Sequence, residues 1–363
     1  MSIRKTSKDN EKTYDIVVAG VANLDITPRF LNEPVARIDE VLIPSKTVLT
    51  DKADISAGGC VSNTGLALAH FGKKVALMAR IGNDHFGELL LEEYRKAGVD
   101  ERVRVEEGEG TSYSVILSPP GIDRIFLHYP GGSMTFGEED IDFSVVADAE
   151  WFHFGYPQVM RRMYAEDGAG LRNIFEKVKS LGVTTSLDTC GIDARSEAGR
   201  VDWKAVLKNV LPFVDLFLPS VEELCFMLDR ERFQRWVDHA QGRDLAQTLS
   251  AEDVKPLAEE IFLLGGRELV MKCGERGLFY ASADGTFLHQ KTFVPKQMAT
   301  ATGAGDVCIA ALLAELLSGE EIKDALRSAA AAGAACCEGI GALSAVPLLP
   351  DLKKRIADGW ESL

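Results

Sequence analysis

Short apolar runs alternate along the chain with longer stretches in which apolar residues recur every three or four positions. Tyr14 to Ala19 is a β-branched run that ends at Gly20, the pattern of a buried strand. Comparable runs recur at Lys74 to Arg80, Trp151 to Phe154, Thr184 to Leu187, Leu216 to Leu218 and Glu268 to Lys272. Between them, helical spacing is found at Val61 to Phe71, Phe86 to Lys96, Leu171 to Leu181, Glu222 to Leu228 and Asp253 to Leu264. Strands and helices in this alternation predict an α/β fold, doubly wound, with a mainly parallel sheet flanked by helices on both faces. The Ala- and Gly-rich C-terminal third predicts two closely packed helices, Ala304 to Leu317 and Ile322 to Cys337.

Two stretches break the rhythm. Pro34 to Ser56 and Thr111 to Leu127 carry period-2 alternation and turn residues without a helix between their strands, which suits hairpins outside the main sheet. They can share one small sheet only by meeting in space, as a flap. The expected division is therefore a large α/β domain of residues 14–33, 57–110 and 128–363, a small β lid of 34–56 and 111–127, and a flexible N-terminal tail of 1–13. Asp229 to Ser250, charged and helical in pattern, reads as a surface insertion.

Charge narrows the partners. Forty Lys and Arg against 55 Asp and Glu leave a formal net charge of −15, which argues against nucleic acid and anionic membranes. An anionic ligand would then need positive potential built locally. The seven scattered cysteines lack CxxC spacing and predict reduced thiols in a cytoplasmic protein. The most apolar runs, Ile309 to Leu317 and Ala329 to Cys337, are shorter than the roughly 20 residues that span a bilayer.

The sharpest local signal is Thr300-Ala-Thr-Gly-Ala-Gly-Asp306, followed at once by the helical pattern VCIAALLAELL. Small residues ahead of a helix leave backbone N–H groups uncovered at the positive end of its dipole, a cradle for anions. A carboxylate in a first helical turn is common for capping reasons alone. Beside bare amides, however, Asp306 would supply a general base next to a stabiliser of negative charge, the pair that phosphoryl transfer to an alcohol needs. A second signal, Ser56-Ala-Gly-Gly-Cys-Val-Ser-Asn63, offers Gly58 and Gly59 for close backbone approach and Asn63 for hydroxyl groups; a tight turn with a capping Asn explains it equally well. Asn23 and Asp25 follow the first strand, where open α/β sheets gather ligands, although turns also favour such residues. Ser220-Val-Glu-Glu223 reads either as a capping box or as part of a metal site, and Lys272-Cys-Gly-Glu-Arg-Gly277 also follows a strand. Asp84 reads as a helix cap, and Arg124 as a solvated lid residue. GxxxxGK[ST], GxGxxG after the first strand, and GxSxG are all missing, which disfavours P-loop, dinucleotide and α/β-hydrolase readings.

Taken together, GGCVSN at Gly58 to Asn63, RIGNDHFG after it, and TATGAGD at Thr300 to Asp306 resemble the two signatures of the ribokinase-like (PfkB) carbohydrate kinases, over nearly the whole chain from Tyr14 to about Pro350. The resemblance implies a ribokinase-like fold and transfer of the γ-phosphoryl group of ATP, with Mg2+, to an alcohol group of a sugar. It implies Asp306 as the base, the Gly303, Ala304 and Gly305 amides as anion hole, and Asn23, Asp25, Gly58, Gly59 and Asn63 as substrate-binding residues. Ser220, Lys272, Gly274 and Gly277 would border the nucleotide, and Glu223 would order Mg2+ through water. Thr300 stands where the family signature usually begins with Asp, which puts potassium (K+) activation in doubt, and Ser220 replaces the usual Asn of an Asn-x-x-Glu motif. Edge pairing of the lid would give a homodimer. A nucleoside kinase, and a sugar-binding regulator with weak catalysis, are the competing readings.

Overall fold

The computed structural model describes residues 12–122 and 124–363. Residues 1–11 of the expected tail lie outside the described residues.

After β1 (Tyr14–Gly20) the chain forms β2 (Asn23–Phe30) and β3 (Thr50–Gly58), then helix α1 (Gly59–His70). Next come β4 (Val75–Met78), β5 (Arg80–Gly82), α2 (His85–Ala97) and the short strands β6 (Asp100–Glu101) and β7 (Arg104–Glu106). A hairpin of β8 (Tyr113–Leu117) and β9 (Ile125–Tyr129) precedes α3 (Phe143–Ala147), β10 (Ala149–Gly155) and α4 (Arg161–Ser180). There follow β11 (Thr184–Asp188), α5 (Trp203–Val210), β12 (Leu216–Phe217) and α6 (Val221–Leu228). The insertion forms α7 (Arg230–Ala240) and α8 (Leu245–Thr248), ahead of α9 (Ala251–Leu263). β13 (Glu268–Lys272), β14 (Leu278–Ser282) and β15 (Phe287–Gln290) lead to α10 (Ala304–Leu317), α11 (Ile322–Cys336) and α12 (Leu349–Ala357).

The main sheet has the strand order β15-β14-β13-β12-β11-β10-β1-β4-β6. Pairing is parallel from β6 through β13 and antiparallel for the two strands at the other edge. Helices cover the parallel strands on both faces, so Ile16 to Ala19 and Val75 to Met78 are buried throughout, which explains their unbroken apolar runs. From β1 the chain moves to β4 on one side and later returns to β10 on the other. The strand order therefore reverses between β1 and β10, and the crevice beyond their carboxyl ends is where such sheets bind ligands.

The small sheet has the order β3-β2-β8-β9. Its two hairpins, β2–β3 and β8–β9, are joined by parallel pairing of β2 with β8. It begins earlier than expected. Asn23 and Asp25, read from sequence as lying just after the first strand within segment 14–33, lie on β2, where alternation buries Leu24 and turns Asp25 the other way. Pro28 sits at the register shift between Thr27 and Arg29, a position where its missing N–H disturbs the ladder least. Within 34–56, strand structure is confined to residues from Thr50 onward, and Ile38–Glu40 forms a 3-10 turn. The helix expected from Leu171 is the second part of α4, which is interrupted by non-helical residues at Ala165 to Gly168. Among the described residues no helix is long and apolar enough to cross a membrane.

Candidate active site

Helix α10 starts where it does because Gly303 takes a left-handed conformation (φ 78°) at its N-cap, and a Cβ there would lie 2.9 Å from Ala342 Cβ. Its first backbone bond runs from Val307 N to Gly303 O at 2.9 Å, so the Gly305 and Asp306 N–H groups precede the helical ladder. The Ala304 N–H turns back to Ala301 O at 3.3 Å; of the three amides expected to form an anion hole, this one is engaged within its own loop.

Asp306, in the first turn, is buried. Its Oδ2 accepts a hydrogen bond from Asn63 Nδ2 (3.0 Å), and its Oδ1 accepts from Tyr156 OH (2.7 Å) and Thr64 Oγ1 (3.4 Å). Burial pushes the Asp306 pKa above the ordinary aspartate value, while the Tyr156 bond, the Lys272 charge and the Asn63 and Thr64 bonds hold it down. Residues distant in sequence thus meet around one carboxylate.

The start of α1 is brought onto β2 by two glycines. A Cβ on Gly58 would lie 2.3 Å from Asp25 Oδ2, and one on Gly59 (φ 77°) would lie 2.5 Å from Val21 O and 2.8 Å from Asn23 Oδ1. Asn23 Nδ2 donates to Asp25 Oδ1 at 2.6 Å. Burial, with the nearby Asp306 charge, pushes the Asp25 pKa up to about 6 against the Asn23 and Ser114 hydrogen bonds. The expected substrate-binding residues Asn23, Asp25, Gly58, Gly59 and Asn63 are therefore brought together, and Asn63 bonds directly to Asp306.

On the far side of Asp306 lies Lys272, at the end of β13. Its Nζ donates to Asp188 Oδ1 (2.5 Å) and to Leu218 O (2.8 Å). A Cβ on Gly305 would be 3.6 Å from Lys272 Cδ, so the lysine stem runs beside the cradle. Burial opposes the Lys272 charge, but Asp188, Glu223 and Asp306 outweigh it and hold its pKa above the ordinary lysine value. Asp188 is itself pushed up to about 7 by burial, with Lys272 opposing. Ser220 and Glu223 form a reciprocal capping box at α6, and Glu223 Oε2 also accepts from Thr189 Oγ1 at 2.7 Å. Gly274 (φ 49°) has ordinary space around it, whereas a Cβ at Gly277 (φ 87°) would fall 2.1 Å from Gln290 O; packing of the edge strands already requires that glycine. Among the described residues, no three His, Cys, Asp or Glu side chains are grouped to hold a metal ion.

Arg124 corrects an expectation. Instead of standing in solvent, it reaches from the β8–β9 connection to the cradle loop and donates to Thr302 Oγ1 at 2.8 Å. Thr302 N donates in turn to Thr300 Oγ1 at 3.1 Å, so Thr300 shapes the loop ahead of Gly303. Asp84 caps α2 as expected, accepting from Gly87 N. Tyr156, Thr64 and Asp188 were not legible as site residues. Tyr156 carries no motif, lies 150 positions from Asp306, and has a left-handed backbone (φ 65°, ψ 44°) that is unusual for a bulky residue and costs about 1–2 kcal/mol.

With this geometry in hand, likeness to known proteins can be stated. Residues 20–348 match the family described as pfkB family carbohydrate kinase. The chain is 23% identical over 346 residues to a 5-dehydro-2-deoxygluconokinase of Clostridium perfringens, covering 90% of this chain and 88% of the relative. It is 23% identical over 344 residues to ribokinase of Arabidopsis thaliana, covering 93% and 79% of the two chains, and 24% identical over 304 residues to fructokinase-2 of Oryza sativa subsp. japonica, covering 80% and 82%. The solved structure of Arabidopsis thaliana ribokinase complexed with ribose and ATP superposes with a TM-score of 0.73 at 21% identity, over 94% of this chain and 98% of that one. A putative ribokinase II from E. coli in complex with ATP and Mg2+ gives 0.72 at 19% identity, over 95% and 99%. The fold is that of the ribokinases, and the chain belongs to the pfkB family of carbohydrate kinases, phosphotransferases with an alcohol group as acceptor.

Proposed function

We propose that the protein transfers the γ-phosphoryl group of ATP to an alcohol group of a sugar or sugar derivative, with Asp306 as general base. The observation that carries this reading is the buried Asp306 carboxylate in the first turn of α10, bonded to Asn63 and adjoining both the Asn23–Asp25 pair and the Gly303–Gly305 turn. The ribose and ATP bound to the Arabidopsis relative, and the ATP and Mg2+ bound to the E. coli one, support the choice of ligands.

In this reading Asp25, Asn23 and Asn63 hold the sugar hydroxyls at the Asp306 side of the crevice. As the sugar oxygen bonds to the γ-phosphorus and the bond to the β-phosphate oxygen breaks, Asp306 takes the hydroxyl proton and ADP leaves with the electron pair of the broken bond. Such transfers ask the protein chiefly for alignment and for charge stabilisation, which the N–H groups of Gly303 and Gly305 and the α10 dipole provide. The Lys272 ammonium lies beside that turn, and Ser220, Gly274 and Gly277 border the nucleotide. Glu223, an oxygen ligand already fixed by its capping box and adjacent to Asp188, has the chemistry to hold Mg2+ through water. When bound with ATP, that ion neutralises phosphate charge.

The small sheet acts as a lid that excludes water from the reacting phosphate. The experiment is ADP release measured over a panel of ribose, fructose, 5-dehydro-2-deoxygluconate and adenosine with ATP and Mg2+. Sugar-dependent ADP formation supports the reading, whereas turnover of adenosine alone would replace it with a nucleoside kinase.

A further inference from the structure

Tyr156 is used by neither the sugar contacts nor the nucleotide contacts assigned above, yet it makes the shortest hydrogen bond to the Asp306 carboxylate. It follows β10 directly, its N–H donates to Asp188 O at 3.3 Å, and its left-handed backbone turns the side chain from the strand end toward α10. We propose that Tyr156 is a positioning residue that fixes which oxygen of Asp306 receives the substrate proton; the proposal rests on the reading of Asp306 as the base.

Hydrogen-bond capacity distinguishes the two carboxylate oxygens of Asp306. An ionised carboxylate oxygen accepts about two hydrogen bonds. Oδ1 takes two donors, Tyr156 OH and Thr64 Oγ1, whereas among the described residues Oδ2 takes one, Asn63 Nδ2. Oδ1 is therefore filled by protein groups and Oδ2 keeps a site on the side where Asn63 joins the sugar-binding residues. A phenol is well suited to the task. It is rigid, with two torsions, and it stays neutral, because burial and the neighbouring Asp306 and Asp188 push its pKa well above the ordinary tyrosine value. It can donate to Asp306 without competing for the substrate proton.

The same bond favours the ionised base. The charged and titratable groups that face Asp306 are Lys272 from β13, Asp188 from β11, Asp25 from β2, Cys60 from α1, Cys190 after β11 and Cys336 from α11. Lys272 alone among them is positive, so loss of the Tyr156 donor leaves the carboxylate facing mostly negative or neutral neighbours, and its proton affinity rises.

The test is Tyr156→Phe, which keeps the ring and removes the hydroxyl. Loss of one hydrogen bond to a charged group predicts a fall in kcat of about tenfold or more with the sugar KM nearly unchanged, and an acidic limb of kcat/KM displaced to higher pH. Tyr156→Asn, whose backbone tolerates the left-handed region, should be impaired in the same direction. The carbon-13 carboxyl resonance of Asp306, followed from pH 4 to 9 in protein labelled at aspartate and identified by its absence in Asp306→Asn, should titrate higher in Tyr156→Phe than in the parent. A folded Tyr156→Phe protein with the parent kcat, acidic limb and titration overturns the proposal. If the parent phosphorylates none of ribose, fructose and 5-dehydro-2-deoxygluconate, the reading of the base fails separately, and the carboxyl titration still decides whether Tyr156 sets the protonation of Asp306.

Discussion

Lys272 and Asp188 close an ion pair across the carboxyl ends of β13 and β11, with Nζ 2.5 Å from Oδ1, Asp188 buried and Lys272 largely covered. Removing one partner of such a pair strands the other charge. Lys272→Met is expected to cost about 3–5 kcal/mol at pH 8, measured by urea denaturation. Asp188, already pushed up to about 7, then takes a proton more readily than in the unfolded chain, so this variant recovers stability as pH falls from 8 toward 5. The double variant Lys272→Met/Asp188→Asn should regain most of the loss.

Asp306→Asn keeps the shape of the side chain and removes the proposed base. Phosphoryl transfer should fall by about 10²–10⁴-fold with the melting temperature nearly preserved, as measured by steady-state ADP release alongside calorimetry. Parental turnover in the asparagine variant would exclude Asp306 as the proton acceptor.

Asp25, with a pKa raised to about 6, must be ionised to accept bonds from sugar hydroxyls. Binding of sugar should therefore weaken as pH falls through 6, and isothermal calorimetry between pH 5 and 8 should record release of up to one proton on binding near and below 6 and almost no proton exchange at 8. Asp25→Asn should flatten that dependence and raise the sugar Kd by about tenfold or more.

Gly58→Ala places a methyl group 2.3 Å from the Asp25 carboxylate oxygen. The carboxylate has to leave its place beside Asn23, so the variant is expected to lose sugar affinity by at least tenfold, comparable with Asp25→Asn, while nucleotide binding followed by fluorescence stays near that of the parent.

Thr302→Val removes the acceptor that Arg124 reaches from the small sheet. Hydrogen exchange across residues 113–117 and 125–129 should then rise severalfold relative to the main sheet, because a bond from a charged donor that ties the lid hairpin to the loop ahead of α10 is lost. Unchanged exchange in that segment would remove Arg124 as a latch.

How far these features can be read from the chain alone depends on whether the cause is local. Unbroken apolar runs gave the parallel strands, and small residues gave α10 and α11 nearly to the residue, because burial on both faces and close helix packing write themselves into composition. Asn23 and Asp25 were read as candidate ligand residues just past the first strand, but their place on a second strand was missed: a strand of a partly exposed sheet beginning three residues after β1 looks like a loop. Tyr156 and Asp188 stayed hidden because nothing near them in sequence signals chemistry. Their meaning comes from Asp306 and Lys272, which the parallel topology delivers from elsewhere. Arg124 was read as solvated because a charged residue in a hairpin turn usually is, and only the packing of that hairpin against the loop ahead of α10 gives it Thr302.

In the proposed reading, the position of Asp25 on β2 ties recognition of the sugar to the lid. Helix α10 is enclosed by α1 and α11, close enough that a Cβ on Gly333 would lie 3.3 Å from Ala304 O, so Asp306 is held by the helices packed around α10. Asn23 and Asp25, which in the proposed reading hold sugar hydroxyls, belong instead to the small sheet. In that reading a sugar lacking the hydroxyl assigned to Asp25 would forfeit both its grip and the contact that draws the lid over it, and discrimination between sugars would then be expressed in turnover as well as in affinity.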